Sequence, residues 1–347
     1  MGSNKKRKGG KCDEKAWILY HKLRYNIFIM KSVRKQRVVI ALGGNAIQNK
    51  GEKGTFEEQL NNVASTMGHV AKYVKSDNPQ LVITHGNGPQ VGNLMIQQSA
   101  AKNLLPEMPM YLCGAMTQGQ IGYLIQQSLR NLFQRESIAR EIATIITQVV
   151  VDKKSPGFKN PTKPVGPYYN EAEAKKIAKA TGYTFKEDAG RGWRRVVPSP
   201  QPLKIIEIGT IKTLLETGTI VVASGGGGIP IVEESRQLSG IDAVIDKDRA
   251  AALLGDLINA DILIILTAVE KVYLNYGKPN QKPIDAMDIR QAKDYFREGH
   301  FAEGSMKPKI EAVISFIEKN KKRNAIITHA NTLTQALSGK NGTHIYY

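Results

Sequence analysis

Lysines set among glycines and prolines are the residues of this chain whose types and spacing best fit a chemical role. Four of them stand in such surroundings: Lys163 in NPTKPVG (160–166), Lys247 in DKD (246–248), and Lys307 and Lys309 in GSMKPK (304–309). Ammonium groups held by such backbone neutralise the oxygens of a phosphoryl group in transfer, a reaction that needs positioning and cations more than covalent help. With 49 Lys and Arg in the chain, only the context of a lysine distinguishes it from solvated charge.

Glycine clusters give a second signal, because each follows an apolar run typical of a strand. The clusters are GGN at 43–45, GNG at 86–88 and GGGG at 225–228. Glycine at such a turn lets backbone N–H groups approach an anion closely. Any one cluster is equally typical of a tight turn, but several at one sheet edge predict a phosphate site. The chain has no G-x-x-x-x-G-K-[ST] or G-x-G-x-x-G motif, which disfavours P-loop NTPases and dinucleotide enzymes.

Six blocks of sequence resemble the carbamate kinases of the amino-acid kinase superfamily, from about Val38 to the C-terminus. They are VIALGGNA (39–46), THGNGPQVG (84–92), NPTKPVG (160–166), EDAGRGWR (187–194), GIDAVIDKD (240–248) and GHFAEGSMKPK (299–309). The resemblance implies reversible transfer between ATP with carbamate and ADP with carbamoyl phosphate, using Mg²⁺. It also implies that the reaction runs toward ATP in arginine catabolism through the arginine deiminase pathway, in a cytoplasmic homodimer.

The same resemblance assigns roles to individual residues. The expected catalytic residues are Lys163, Lys247, Lys309 and Asp248, with no metal-ligating side chains. The expected phosphoryl and carbamate contacts are Gly43, Gly44, Asn45, Gly86, Asn87 and Gly88. The expected nucleotide contacts are Gly225, Gly226, Gly227, Thr267, Ala268, Val269, Tyr273 and Met306.

Two alternatives remain open from the residues. A related kinase would phosphorylate acetylglutamate or aspartate, but Ala41 stands where those kinases commonly carry a lysine, and the resemblance implies that Lys163 takes over that role, as in the carbamate kinases. A non-catalytic nucleotide-binding regulator is disfavoured because every expected phosphate lysine is present. Arg191 fits either an anion contact or structural packing.

Direct in-line transfer is the expected mechanism, because carbamate is already an anionic nucleophile that requires no general base.

The elements that must position these residues are strands alternating with helices. Apolar runs predict buried strands at 37–42, 81–84, 142–151, 219–223, 261–267 and 325–328. Helical spacing occurs at 56–74, 118–133, 205–215, 248–257 and 308–317. This alternation predicts a parallel sheet covered on both faces, and the resemblance makes it a three-layer αβα sandwich with a mostly parallel open sheet.

The predicted domain organisation has two halves and an extension. Residues 37–225 form an N-terminal carbamate and phosphoryl half, and residues 226–347 form a C-terminal nucleotide half. Residues 152–202 are rich in Pro, Gly, Lys and Arg and interrupt the alternation of strands and helices. They contain one predicted helix, near 171–180. We expect them to project as a small subdomain, called the lid subdomain below, which closes over the phosphates.

Composition limits the remaining classes of function. The net charge is +18, but residues 1–37 contribute +10 of it, so the excess is concentrated in a basic extension, residues 1–36, that we expect to be disordered. Nucleic-acid binding is therefore not the expected function, and a nucleic-acid contact through the basic extension is a third alternative that could coexist with kinase activity. Two distant cysteines suggest neither a disulfide framework nor a zinc site. No apolar run reaches the roughly 20 residues of a membrane span, so no membrane association is predicted.

Overall fold

The computed structural model describes residues 35–49, 51–188, 190 and 192–347. Its strands are β1 (Arg37–Leu42), β2 (Gln80–His85), β3 (Ile142–Thr144), β4 (Gln148–Val151), β5 (Lys163–Tyr169), β6 (Thr184–Glu187), β7 (Trp193–Val197), β8 (Pro202–Ile205), β9 (Ile220–Val222), β10 (Ile229–Glu234), β11 (Gln237–Gly240), β12 (Ile262–Leu266), β13 (Val272–Leu274), β14 (Lys282–Ile284), β15 (Ala286–Asp288), β16 (Asn324–Thr328) and β17 (Thr343–Tyr346). Its α-helices are α1 (Phe56–Asp77), α2 (Gly88–Ala101), α3 (Met110–Arg135), α4 (Pro156–Lys159), α5 (Glu171–Thr181), α6 (Ile208–Glu216), α7 (Lys247–Leu257), α8 (Ile289–Arg297), α9 (Met306–Glu318) and α10 (Leu333–Leu337).

An eight-stranded sheet forms the centre of this part of the chain, in the order β15-β17-β16-β12-β1-β2-β9-β3. The six strands from β16 to β3 are parallel, whereas β17 runs antiparallel to β16 and pairs in parallel with β15. Hydrophobic clusters lie on both faces of the sheet, one containing Val39 and Ala41 and the other containing Val38, Ile40 and Leu42. The predicted mostly parallel α/β fold is therefore confirmed.

The strand predicted over residues 142–151 is wrong as a single element. The structure divides it into β3 at the edge of the central sheet and β4 in a second sheet, with the order β11-β10-β4-β8. The division lies at Thr147, whose buried backbone N–H bonds the side chain of Gln118 at 2.7 Å and whose hydroxyl accepts a bond from the N–H of Ser224 at 2.9 Å. Local hydrophobicity could not reveal the break, because both halves of the run are apolar.

Helix α1 shows how local sequence starts and ends an element. The Thr55 hydroxyl accepts a hydrogen bond from the N–H of Glu58, and the Glu58 carboxylate accepts one from the N–H of Thr55, forming a capping box. The helix ends at Asn78, whose φ of 48° is the left-handed conformation that asparagine tolerates. The predicted helix at 56–74 is thus confirmed and extends three residues further, to Asp77.

The lid subdomain contains its own antiparallel sheet, in the order β5-β7-β6, together with α5. Asn170 caps α5 with a second capping box formed with Glu173, which accounts for the start of the helix predicted near 171–180. In the sheet, Lys163 at the start of β5 pairs in register with Val197 at the end of β7. The sheet therefore fixes the backbone of Lys163, although this lysine lies in a segment rich in proline and glycine.

The central sheet brings the glycine turns to one edge. Because β1, β2 and β9 are parallel neighbours, the segments that follow them at Gly43, Gly86 and Ser224 emerge on the same side. The proposed division of the chain into a carbamate half and a nucleotide half stays a prediction, as does most of the basic extension, since residues 1–34 lie outside the described residues. No helix in the described ranges is long and apolar enough to cross a membrane.

Candidate active site

A cavity of about 270 Å³ opens at this edge of the sheet, between the glycine turns, the lid subdomain and the N-termini of α2 and α7. Several of the predicted residues contribute to its wall. The lining residues are Gly44, Gly86, Asn87, Gly88, Pro89, Gln90, Lys163, Gly226, Val244, Ile245, Asp246, Lys247, Asp248, Gly304, Ser305, Pro308 and Lys309. The structure therefore assembles all four predicted catalytic residues around one space, although they lie up to 146 positions apart in the chain.

Asp248 holds two of the lysines. Its Oδ1 accepts a hydrogen bond from Nζ of Lys247, and its Oδ2 accepts one from Nζ of Lys309 at 2.9 Å. The carboxylate side chain is only 3% exposed. Burial by itself would raise the pKa of Asp248, but the ammonium groups of Lys247 and Lys309 outweigh burial and lower the pKa to about 2. Asp248 is therefore an anion that keeps two cations at the wall of the cavity.

Burial and neighbouring charges also shift the pKa of Lys247. Burial lowers the pKa of its ammonium, and the nearby charge of Lys309 lowers it further, while Asp248 and Asp246 work against the shift. The net result is a lysine whose pKa lies below its ordinary value. Two ammonium groups beside one carboxylate leave an uncompensated positive charge, which favours an anion in the cavity.

Asp246 links the lid subdomain to α7. Its Oδ2 accepts a hydrogen bond from Nζ of Lys163 at 3.0 Å, while its Oδ1 caps α7 by accepting bonds from the N–H groups of Asp248 at 3.0 Å and Arg249 at 3.4 Å. Burial would raise the pKa of Asp246, but Lys163 more than compensates and the pKa is lowered. One side chain thus places the lid lysine beside the positive end of the helix that begins with Lys247.

Sequence reasoning assigned no function to Asp246. Its position directly before a helical pattern is the signature of an N-cap, so the sequence could have revealed its capping role. Nothing in the sequence could have revealed its ion pair with Lys163, which lies 83 positions away. Ser305 and Gln90 also line the cavity, and the sequence did not predict either of them as a site residue.

The segment that follows β2, predicted to contact carbamate, is organised by His85 and Asn87. His85 is 1% exposed, and its ring Nδ1 lies 2.9 Å from the carbonyl oxygen of Gly86. Burial lowers the pKa of His85 to about 4, so the imidazole is neutral at physiological pH and its contacts are those of a structural residue. A Cβ on Gly225 would lie 2.3 Å from the His85 ring, so the packing at this position admits only glycine.

Asn87 lies over Gly226 at the cavity wall. A Cβ built on Gly226 would come within 2.2 Å of Asn87 Nδ2, and the φ of Gly226 is +66°. Nδ2 of Asn87 donates a hydrogen bond to the hydroxyl of Thr117 on α3 at 2.8 Å. Gly226, predicted as a nucleotide contact, thus lies beside the predicted carbamate residue Asn87, which it accommodates by having no side chain.

A second, polar cavity of about 180 Å³ lies beside the first turn. Two predicted phosphoryl residues, Gly43 and Asn45, and one predicted nucleotide residue, Thr267, line this cavity rather than the lysine cavity. The remaining predicted nucleotide residues line neither cavity: Gly225, Gly227, Ala268, Val269, Tyr273 and Met306. Their roles as nucleotide contacts stay predictions.

Two further basic residues were considered in the sequence. Lys307 bonds Glu303 one turn earlier, lies near the ring of Phe296 and does not line the lysine cavity. Arg191, whose contact with a ligand was left open, lies outside the described residues.

The described residues contain no group of three or more His, Cys, Asp or Glu side chains placed to hold a metal ion. The two cavity carboxylates, Asp246 and Asp248, are bonded to lysines. These donors fit a divalent cation only when anionic phosphates bring it to the site. A magnesium ion would accordingly enter with a nucleotide.

Known proteins resemble the chain along most of its length. The model of the amino acid kinase family matches residues 36–329. Carbamate kinase of Pyrococcus horikoshii is 51% identical over 312 residues, covering 89% of this chain and 99% of the relative. Carbamate kinase of Thermococcus kodakarensis is 50% identical with the same coverage. The structure of carbamate kinase from Giardia lamblia bound to AMP-PNP superimposes with a TM-score of 0.85 at 45% identity, covering 90% of this chain and 98% of that one.

Proposed function

We propose a mechanism from the premise that this chain belongs to the amino acid kinase family and, within it, to the carbamate kinases. The chain is accordingly a phosphotransferase that transfers a phosphoryl group between ATP and carbamate. The observation that carries the mechanism is the meeting of Lys163, Lys247 and Lys309 at one cavity with only two carboxylates to balance them. The surplus positive charge supports binding of a phosphoryl group in transfer.

The lysines act by position and charge. Lys247 and Lys309 are fixed by the buried carboxylate of Asp248, so their ammonium groups need little reorganisation when a phosphoryl group arrives. Lys163 approaches from the lid subdomain, and Asp246, at the start of α7, holds its ammonium group until the substrate binds. Carbamate then attacks the γ-phosphorus of ATP in line. The P–O bond to ADP breaks as the new P–O bond forms, and no phosphoenzyme or general base is required.

Backbone donors complete the proposed site. Gly44 and the start of α2 at Gly88 line the same cavity as the lysines. The N–H groups in the first turn of a helix lack intrahelical partners and carry partial positive charge. We propose that they hold the oxygens of carbamate, while the lysines neutralise the phosphoryl oxygens. Mg²⁺, carried by the nucleotide, would offset charge on the β- and γ-phosphates.

The finer parts of the function are also proposals. Synthesis of ATP from carbamoyl phosphate in arginine catabolism is the proposed direction, and the cytoplasm is the proposed location. A homodimer is supported by one face of α3, where Met116 and Tyr123 are 39% and 55% exposed and lie seven residues apart on the same side. Ile146, 47% exposed on the loop after β3, adds a further apolar group.

The decisive experiment measures ATP formation from ADP, Mg²⁺ and carbamoyl phosphate by the purified full-length protein. Acetyl phosphate and N-acetylglutamyl phosphate serve as competing donors. ATP from carbamoyl phosphate alone is expected. Preference for another acyl phosphate would preserve the fold and replace the substrate, whereas nucleotide binding without transfer from any donor would indicate a regulatory protein.

A further inference from the structure

Carbamoyl phosphate differs from acetyl phosphate in one group, an amine where acetyl has a methyl. The two groups are close in size, so shape alone discriminates poorly between them. A site that selects the amine needs a hydrogen-bond acceptor placed against it, since the methyl group would leave that acceptor unpaired. The need for that acceptor rests on the proposed function, because only a carbamate kinase requires it.

Asn87 offers such an acceptor, provided that its amide is oriented with the oxygen toward the cavity. The side chain lines the cavity and packs over Gly226. The oxygen and nitrogen of an asparagine amide are nearly the same size, so packing does not set the orientation. Hydrogen bonds must decide it.

A chain of bonds fixes the amide. The carbonyl oxygen of Gly114 on α3 can only accept, so the hydroxyl of Thr117, 2.6 Å away, donates its one proton there. That hydroxyl can then only accept from Asn87, whose Nδ2 lies 2.8 Å away. The amide nitrogen is consequently directed at Thr117, and Oδ1 is left as the free end. Among the described residues, no side chain or backbone group donates to this oxygen.

The hydroxyl that sets the orientation is rigidly held. Thr117 is 0% exposed, and a neighbouring residue of the same helix turn, Gln118, bonds the carbonyl oxygens of Thr147 at 3.2 Å and Gly225 at 3.1 Å. This turn of α3 is therefore tied to the glycine segment beneath Asn87. Water has little access to compete for the Thr117 hydroxyl, so the orientation is a property of the fold.

The oxygens of the carbamoyl group would face backbone N–H donors at the start of α2. α2 begins at Gly88, and its first intrahelical bond of this turn runs from the N–H of Val91 to the carbonyl oxygen of Asn87. The preceding N–H groups of Gly88 and Gln90 have no partner within the helix. An amine facing Asn87 Oδ1 and oxygens facing the start of α2 give the carbamoyl group one orientation.

We propose that Thr117 is a positioning residue which turns the amide oxygen of Asn87 toward the carbamoyl amine, and that this pair selects carbamoyl over acetyl phosphate. Thr117 does not touch the substrate and acts only through Asn87. An acetyl methyl would leave the Asn87 oxygen without a donor, at a cost of about 1–3 kcal/mol, or roughly 5- to 150-fold in kcat/KM.

The test compares kcat/KM for carbamoyl phosphate with kcat/KM for acetyl phosphate, both with ADP and Mg²⁺, in the full-length protein. Thr117→Val removes the hydroxyl at nearly constant shape, so the amide can turn over. We expect the ratio of the two values to fall by about tenfold, with the loss confined to carbamoyl phosphate. Thr117→Ser keeps the hydroxyl and should keep the wild-type ratio.

A purely structural role for Thr117 would lower both activities together and leave the ratio unchanged, and that result in Thr117→Val overturns the inference. Thr117→Ala provides the same comparison if the valine variant does not fold. Should the wild-type protein form no ATP from carbamoyl phosphate, the proposed function itself fails. That outcome is distinct from an active wild type with an insensitive ratio.

Discussion

Replacing Lys163 by alanine should separate catalysis from stability more cleanly than any other change at the cavity. The lysine side chain is 38% exposed, and its ion pair with Asp246 spans 3.0 Å. The lysine end of this pair is open to solvent, and Asp246, 12% exposed, keeps its bonds from the N–H groups of α7 in the variant, so the expected loss is about 1 kcal/mol. For a domain of this size, such a loss lowers Tm by only about 2 °C.

The expected effect of Lys163→Ala on turnover is much larger. Removing one group that stabilises charge developing at the transition state typically costs at least about 100-fold in kcat, or about 2.7 kcal/mol of activation free energy. Lys163 is the first residue of β5, and the lid sheet fixes its backbone. Alanine at this position should therefore leave the other lysines undisturbed. Loss of kcat at nearly constant Tm is therefore the expected signature.

The assay is coupled ATP formation from carbamoyl phosphate at saturating ADP, with Tm measured on the same preparations. Lys186→Ala is the matched control, because Lys186 is an exposed lysine of the same lid sheet that donates to Asn160 at 3.1 Å and does not line the cavity. The control should retain wild-type turnover. Turnover of Lys163→Ala within a few-fold of wild type would refute the role assigned to this lysine.

Three further outcomes are expected. Asp248→Asn leaves the ammonium groups of Lys247 and Lys309 without their carboxylate, so unfolding in urea should show a loss of about 3–5 kcal/mol; an unchanged midpoint and slope would contradict the buried network. Because burial lowers the pKa of Lys247 below its ordinary 10.5, its charge is lost as pH rises through that lowered pKa. The fall in kcat/KM at alkaline pH should have its midpoint below pH 10.5, and in Lys247→Arg that midpoint should move to higher pH. A midpoint unchanged in the variant would contradict the role assigned to Lys247. Tyr123→Asp on the exposed face of α3 should shift the protein from dimer to monomer in sedimentation, and a wild-type monomer would exclude that interface.

Much of the fold could be predicted because its signals are local. The strand at Arg37–Leu42 is an apolar run followed by glycine, and α1 begins with a capping box. Such patterns arise from backbone hydrogen bonding and side-chain burial within a few residues. The run at 142–151 was misjudged because its division between two sheets depends on Gln118 and Ser224, which are distant in sequence.

By itself, the sequence offered candidates for the chemistry: glycines after buried strands and lysines in glycine- and proline-rich segments. The resemblance to the carbamate kinases then selected Lys163, Lys247, Lys309 and Asp248. A linear chain displays both the residue types with their spacing and the motifs that carry the resemblance.

Only the tertiary structure decided how these groups are paired and oriented. It placed Asp246 between Lys163 and the start of α7. It also directed the amide nitrogen of Asn87 toward the hydroxyl of Thr117 on α3. It also assigned Gly43 and Asn45 to a different cavity from Gly44. Ion pairs and hydrogen bonds need groups within about 3 Å and at defined angles. Such distances between residues far apart in the chain are set by the packing of the sheet and helices.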